Sequence, residues 1–346
     1  MKVILLSEDW HLQYEEYLLN NHSAMIYYSL KFKKFLKKQT DSSAQYYIAV
    51  DEHNNINGIL PLMLKDGPLG IVINSLPFYG SNGGILSDSD DAKEVLLEKY
   101  LEIIRGNEIA AATLIENPLD KNYPYHKIQY DELDFRIGQL TDISGDFDSL
   151  EDIMLRFDSK TRNIIRKAVK SDVQIEIDNS QFEFLQKIHV DNMHSIGGLA
   201  KGPEFFENVQ NIFEAGIDYN LFIAKKDDEI IAATLVFYFR EVIEYYTPVI
   251  VKEYRSFQPL SLIIASAMLD GSRLGYKWWN WGGTWQTQGG VYDFKSKWGT
   301  IDLNYNYYTV VNNKQIYESS TEYLLKYYGG VFVIPFNKLK SYTKEM

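Results

Sequence analysis

The chain has 346 residues, 45% hydrophobic and 24% charged, the balance of a soluble globular protein with room for two domains of ordinary size. Its formal net charge is −12 and its pI about 5.1, which excludes a surface that grips nucleic acid all round, so DNA is not an expected partner, while a local basic patch stays open. With no cysteine, disulfides, thiolate catalysis and cysteine-ligated metals are excluded. The six histidines form no HxH or HExxH pair, so no metal site is expected. The apolar run in MKVILLSEDWH is too short for a signal peptide. Residues 230–239, the longest apolar stretch, cannot span a bilayer. A cytoplasmic protein without a transmembrane segment is expected.

Residues 10–39 carry apolar side chains at helical spacing, Tyr14, Tyr17 and Leu18, then Phe32, Phe35 and Leu36. Strands are expected at 45–50, 58–65 and 71–76, the first two joined by a turn at Asn54-Asn55. A glycine-rich loop, PFYGSNGG, covers 77–84. Asp91 is placed to cap a helix through Val95, Leu96, Tyr100 and Ile104, and 110–115 reads as a buried strand. Residues 128–140 alternate enough for one or two more strands. The same order then recurs: helices at 182–195 and 203–215, strands at 220–225, 230–239 and 242–247, a helix at 260–274 and a strand at 276–281. This repetition is one of pattern rather than identity, and it indicates two α/β halves, each a mixed sheet flanked by helices.

Between the halves lies SLEDIMLRFDSKTRNIIRKAVK, residues 149–170. Ser149 and Asp152 suit a capping box, and Asp158 a second helix start. Arg162, Arg166 and Lys170 form a stripe at i, i+4, i+8, with Lys160 and Lys167 beside it. Two readings stay open: an anion-facing surface, or the wet side of a linking helix.

Residues 278–300, WWNWGGTWQTQGGVYDFKSKWGT, hold five of the six tryptophans. A strand is expected up to Trp281, ending at Gly282-Gly283, where backbone can approach a bound group. A polar loop with Trp285 follows, then an extended run over 291–298. Alternation in that run places Lys295 and Lys297 on one face, with Phe294, Ser296 and Trp298 on the other. Two adjacent ammonium groups suit an anion between them, and equally suit an edge strand that blocks aggregation. Core packing accounts for at least two of the tryptophans, and Trp285 is the one placed to stack on a sugar or peptide.

KTRNIIRKAVK (160–170) resembles the basic helix that opens the second domain of FemABX-type transferases. GGVYDFKSKWG (289–299) resembles their C-terminal signature, and NWGG (280–283) their acidic-x-Gly-Gly strand end, with Asn in place of Asp. PFYGSNGGILSD (77–88) is similar to their first-domain loop. The resemblance implies two tandem GNAT-like acyltransferase domains, 1–147, completed by a tail at 320–346, and 148–319. It implies transfer of an aminoacyl or acyl group to an amine of a cell-envelope precursor, UDP-linked or lipid-linked, a peptidoglycan peptide or an amino sugar. The donor would be a co-substrate, charged tRNA or acyl-CoA, with no permanently bound cofactor. Lys295 would stabilise negative charge in the reaction with Lys297 assisting, and Arg162, Arg166, Trp285, Gly282, Gly283, Tyr292 and Tyr79 would bind substrate. YYTPV (245–249) stands where the family has Tyr-x-x-Gly-Ala-Ser, and YRSFQPLS (254–261) lacks the glycines of an acyl-CoA pyrophosphate loop.

Acyl transfer to an amine builds an oxyanion and releases a proton. Asp293, Glu244 and the leaving group itself are the candidate proton acceptors. No Ser/His/Asp arrangement of recognisable spacing is present, so a covalent acyl-enzyme is not expected. The rival functions are an acyl-CoA-dependent amino-sugar N-acyltransferase and a non-catalytic glycan or peptide binder.

Overall fold

The computed structural model describes residues 1–76, 83–120, 124–285 and 287–340; Tyr79 and most of its glycine-rich loop lie outside the described residues. The chain divides into two compact units, Met1–Arg136 with Asn304–Met346, and Ile137–Leu303.

In chain order the first unit contributes strand β1 (Lys2–Leu5), helices α1 (His11–Asn20) and α2 (Leu30–Thr40), strands β2 (Ser43–Val50), β3 (Ile56–Lys65) and β4 (Ile71–Asn74), helix α3 (Asp90–Ile103) and strand β5 (Ile109–Ile115). Strand β6 (Glu132–Asp142) leads into the second unit. That unit contains α4 (Leu150–Met154), α5 (Ser159–Lys170), β7 (Gln174–Ile177), α6 (Phe182–Ser195), α7 (Pro203–Ile212), β8 (Tyr219–Lys226), β9 (Glu229–Phe239), β10 (Val242–Ile250), α8 (Pro259–Arg273), β11 (Trp278–Trp285) and α9 (Gly289–Ser296). Strand β12 (Thr300–Val311) returns to the first unit, which closes with α10 (Gln315–Glu318) and α11 (Thr321–Tyr328).

The first unit's strands are ordered β1-β2-β3-β4-β5-β12, and the second unit's β6-β11-β10-β9-β8-β7. Each unit runs strand, two helices, three antiparallel strands, a helix, and a strand that pairs in parallel with the third of them. The parallel pairs need a crossover, which α3 and α8 supply. The repeated order expected from the pattern is therefore present. The unit boundary falls before the expected 147/148, because the second half of β6 bonds within the second unit: Trp281 Nε1 donates to Thr141 Oγ1 at 2.9 Å. The tail joins the first unit earlier than 320, because β12 pairs antiparallel with β5 from Tyr307 to Val311.

Local signals in the sequence form as they read. Ser149 and Asp152 make both arms of a capping box, and the Asp158 carboxylate accepts from the Thr161 N–H at 2.6 Å at the start of α5. The third helix is capped by Ser89 rather than Asp91. No helix among the described residues is long and apolar enough to cross a membrane.

The expected strand after Trp285 is not formed. Residues 289–296 form a helix, α9, where 291–298 were expected to be extended. Phe294 and Trp298, four residues apart, both pack near Trp281, with ring centroids at 5.9 and 5.5 Å. Gly299 then stops the helix at φ +68°, a backbone region that favours glycine after a C-terminus. Lys295 and Lys297 consequently do not share a strand face. The tryptophan cluster is core: Trp279, Trp281 and Trp298 are buried, and Phe157 meets Trp298 edge-on at 4.9 Å. Strand β11 also runs through the glycine pair to Trp285 rather than ending at Trp281.

Trp298 joins α9, β11 and Phe157, so Trp298→Ala should cost about 3–5 kcal/mol. Urea unfolding followed by circular dichroism measures this; a loss below about 1 kcal/mol would contradict the packing described.

Candidate active site

In the second unit β10 and β11 pair in parallel at Val242↔Trp278, Ile243↔Trp279 and Glu244↔Asn280. Both strands run on, β10 to Ile250 and β11 to Trp285, with no further pair between them among the described residues. In the first unit the corresponding strand β4 pairs with β5 from Ile71 to Asn74; residues 77–82 beyond it lie outside the described residues. Past Glu244 and Asn280 the described residues thus show an interruption of the β10–β11 ladder, a gap in the sheet.

Gly282 shapes the β11 side of that gap. Trp281 Nε1 bonds Thr141, and Thr284 Oγ1 lies 3.5 Å from Gln139 Oε1. Three residues on β11 thus span two on β6, and the extra one is accommodated by Gly282 at φ +70°, a bulge of the kind that re-aims side chains beside sites. The Gly282 N–H is held by Asn280 Oδ1 at 2.9 Å. Among the described residues, a side chain placed at Gly282, Gly289 or Gly290 would meet nothing within 4 Å, so none of them crowds the bulge or the first turn of α9.

Lys295 reaches this bulge from α9. It is 7% exposed. Its ammonium donates to Thr284 Oγ1 at 2.8 Å and to the Gly282 carbonyl at 3.3 Å. Two of its three N–H groups are thus engaged among the described residues, leaving one. Burial lowers its pKa from 10.5 to about 8, since desolvation penalises the charged form. A hydroxyl and a carbonyl orient the ammonium without the counter-charge that would raise the pKa again. The sequence pointed to Lys295; Thr284, Gln139 and the bulge went unread, and the three-residue step from Trp281 to Thr284 was the available signal.

The other candidates are placed variously. Lys297 is exposed, and its carbonyl accepts from the Asp158 N–H at 2.9 Å, which ties α9 to the start of α5. Arg162 Nη1 donates to the Phe157 carbonyl at 2.5 Å. Arg166 grips Glu151 of α4 through both carboxylate oxygens, at 3.0 and 2.6 Å, and this ion pair holds the Glu151 carboxyl below its usual range. The Tyr292 hydroxyl donates to Asp302 at 2.7 Å. Trp285 is half-buried where β11 ends, and Gly283 is half-buried within the strand.

Residues 159–296, which include β10, β11 and α9, match a family model described as an acetyltransferase (GNAT) domain. No curated protein matches the sequence. The whole chain is similar in structure to FemX, with a TM-score of 0.68 and 14% identity over 92% of this chain and 99% of that one. It is also similar to the C-terminal domain of a putative lysylphosphatidylglycerol synthetase from Agrobacterium fabrum, with a TM-score of 0.56 and 13% identity over 94% and 98%. A tandem GNAT protein from the clavulanic acid biosynthesis pathway gives a TM-score of 0.51 and 9% identity over 90% and 98%. The chain has the tandem GNAT fold of the FemABX type.

A depressed lysine has a definite stability signature. Between about pH 8 and 10.5 the unfolded chain binds more protons at this position than the folded one, so stability rises with pH there. Wild type should gain on the order of 1 kcal/mol relative to Lys295→Met between pH 7 and pH 10. Paired denaturant titrations read this difference, and parallel curves would show that Lys295 is not desolvated.

Proposed function

We propose that the protein is an N-acyltransferase that passes an aminoacyl or acyl group directly to an amine of a cell-envelope precursor. The observation that carries this reading is the Lys295 ammonium, buried beyond the last pair of two parallel strands, with two of its three N–H groups engaged among the described residues. The match of residues 159–296 to an acetyltransferase model and the FemX-like fold support the reaction class.

In this mechanism the acceptor nitrogen attacks the acyl carbon and a C–N bond forms. The carbonyl oxygen becomes an oxyanion, which takes the spare N–H of Lys295. The intermediate collapses, the bond to the donor's oxygen or sulfur breaks, and the leaving group departs with the electron pair. The donors already fixed on Thr284 and Gly282 keep the ammonium from reorienting during the reaction, which is how such groups stabilise a transition state. A lapsed binder would gain nothing from keeping a charged lysine desolvated.

The turn before α8 bears on the donor. It carries no glycine, Gln258 occupies the left-handed region at φ 60°, and Pro259 opens the helix without an N–H. Few backbone N–H groups are left for a diphosphate. This favours an aminoacyl ester over acyl-CoA. Arg162 and Arg166 would meet anionic substrate only if Arg166 exchanged Glu151 for it.

The test is transfer from charged tRNA, and separately from acetyl-CoA, to UDP-linked muropeptide and to UDP-linked amino sugar. Wild type should transfer to one of these acceptors. Lys295→Ala should lower kcat about 10²- to 10³-fold with an unchanged circular dichroism spectrum. Wild-type turnover in that variant would remove Lys295 from the mechanism.

A further inference from the structure

The second unit holds another buried lysine, which neither the sequence motifs nor the mechanism above uses. Lys201 lies between α6 and α7 and is 8% exposed. Its ammonium donates to Thr247 Oγ1 of β10 at 2.8 Å and lies 4.9 and 5.1 Å from the ring centres of Phe205 and Tyr246. Thr247 stands past the last β10–β11 pair, Glu244↔Asn280. The arrangement mirrors that of Lys295, whose partner Thr284 stands past the same pair on β11. At about 3.3 Å per residue, the two threonines lie roughly 10–13 Å beyond the point where pairing ends.

The two lysines approach from opposite faces. Tyr245 lies against Trp279 and Trp281, at 5.6 and 5.2 Å, on the face where Phe294 of α9 packs. A bulge follows between Tyr245 and Thr247. Tyr246 turns the other way, stacked on Phe205 of α7 at 5.9 Å and edge-on to Phe237 at 5.1 Å. Lys201 therefore lies on the α6–α7 face and Lys295 on the α9 face, each bonded to a threonine beyond the last β10–β11 pair.

We propose that Lys201 accepts the proton released by the attacking amine, so that donor and acceptor enter the gap from its two faces, with Lys295 on the donor's oxygen and Lys201 on the acceptor's nitrogen. This rests on the N-acyltransferase reading. As the C–N bond forms, the nitrogen becomes positively charged. Its proton moves to the lone pair of Lys201 Nζ, the bond from the acyl carbon to the leaving oxygen or sulfur of the activated ester breaks, and the proton later passes to that leaving group or to water.

Burial lowers the pKa of Lys201 from 10.5 to about 7. His189 of α6 accepts the Lys201 backbone N–H on Nε2 at 3.0 Å, and burial, then the nearby lysine charge, lower its pKa to about 4, so it is neutral at pH 7. Phe205 faces Lys201 from α7. From β10, Tyr246 and Thr247 face it, and Glu244, which alternates with Ile243 and Tyr245, points to the same side of the sheet. Glu244 lies where the ladder is still closed, and Lys201 is anchored where it has opened.

The test compares Lys201→Arg and Lys201→Met with wild type in the transfer assay across pH 6–9. Arginine keeps the charge and bulk and cannot give up a proton. Wild-type kcat should rise through about pH 7 and fall above about pH 8, where Lys295 loses its proton. Both variants should lose about 10²- to 10⁴-fold in kcat, with the acid limb abolished. Retention of rate by Lys201→Arg, with the acid limb in place, would overturn the proposal and leave Lys295 and the transfer reaction standing. Absence of transfer by wild type with every donor would remove the reaction and this role together. A readout independent of turnover is the Cε shift of 13C-lysine-labelled protein: one resonance missing in Lys201→Arg should titrate near pH 7, and titration above pH 9 would contradict the assignment.

Discussion

Parallel pairing between β10 and β11 ends after Glu244 and Asn280 among the described residues, and the chemistry proposed for the second unit depends on that break. A closed ladder satisfies its own backbone and offers nothing to a substrate. Among the described residues no pair between the two strands follows Glu244↔Asn280, and beyond that point each strand offers a threonine to a buried lysine, Thr247 to Lys201 and Thr284 to Lys295. The first unit has the same order of elements, with β4 paired to β5 from Ile71 to Asn74. The repeat supplies the architecture twice.

Each lysine at the opening is held by a buried threonine hydroxyl at 2.8 Å. A carboxylate would bind the ammonium more strongly but would also lock it in the charged form and raise its pKa. A hydroxyl accepts one N–H, fixes the direction of the side chain and leaves the proton labile. Desolvated lysines destabilise the folded state, and the aromatic core formed by Phe157, Trp279, Trp281 and Trp298 offsets that cost close by. Residues that reduce stability while being precisely positioned are characteristic of sites shaped for reaction rather than for packing.

Much of the architecture was legible because it rests on local signals. Capping residues at Ser149 and Asp158, and apolar strands bounded by turns, placed most elements within a few residues. The edge strands β1 and β7 were missed: they are four residues long and half-exposed, too short for a pattern to show. Residues 291–298 misled because aromatic and charged residues alternate there as in a strand. The contacts that decide for helix are Phe294 and Trp298 on Trp281, which are tertiary. Lys295 was legible through its motif, but its partners were not, since Thr284 faces it only after a bulge shifts the register. Lys201 carried no signal at all. It sits in IGGLAKGPEFF, where a lysine reads as surface, and only folding places it beneath Phe205 and Tyr246.

The most direct measurement is a crystal structure of the protein with a non-hydrolysable acyl donor, an amide-linked aminoacyl-adenosine, bound. The carbonyl oxygen should lie at hydrogen-bonding distance from Lys295 Nζ, about 2.7–3.1 Å, with the acyl carbon between the open ends of β10 and β11. A donor seated elsewhere, with Lys295 still turned to Thr284 and Gly282 and no carbonyl within reach, would contradict the account.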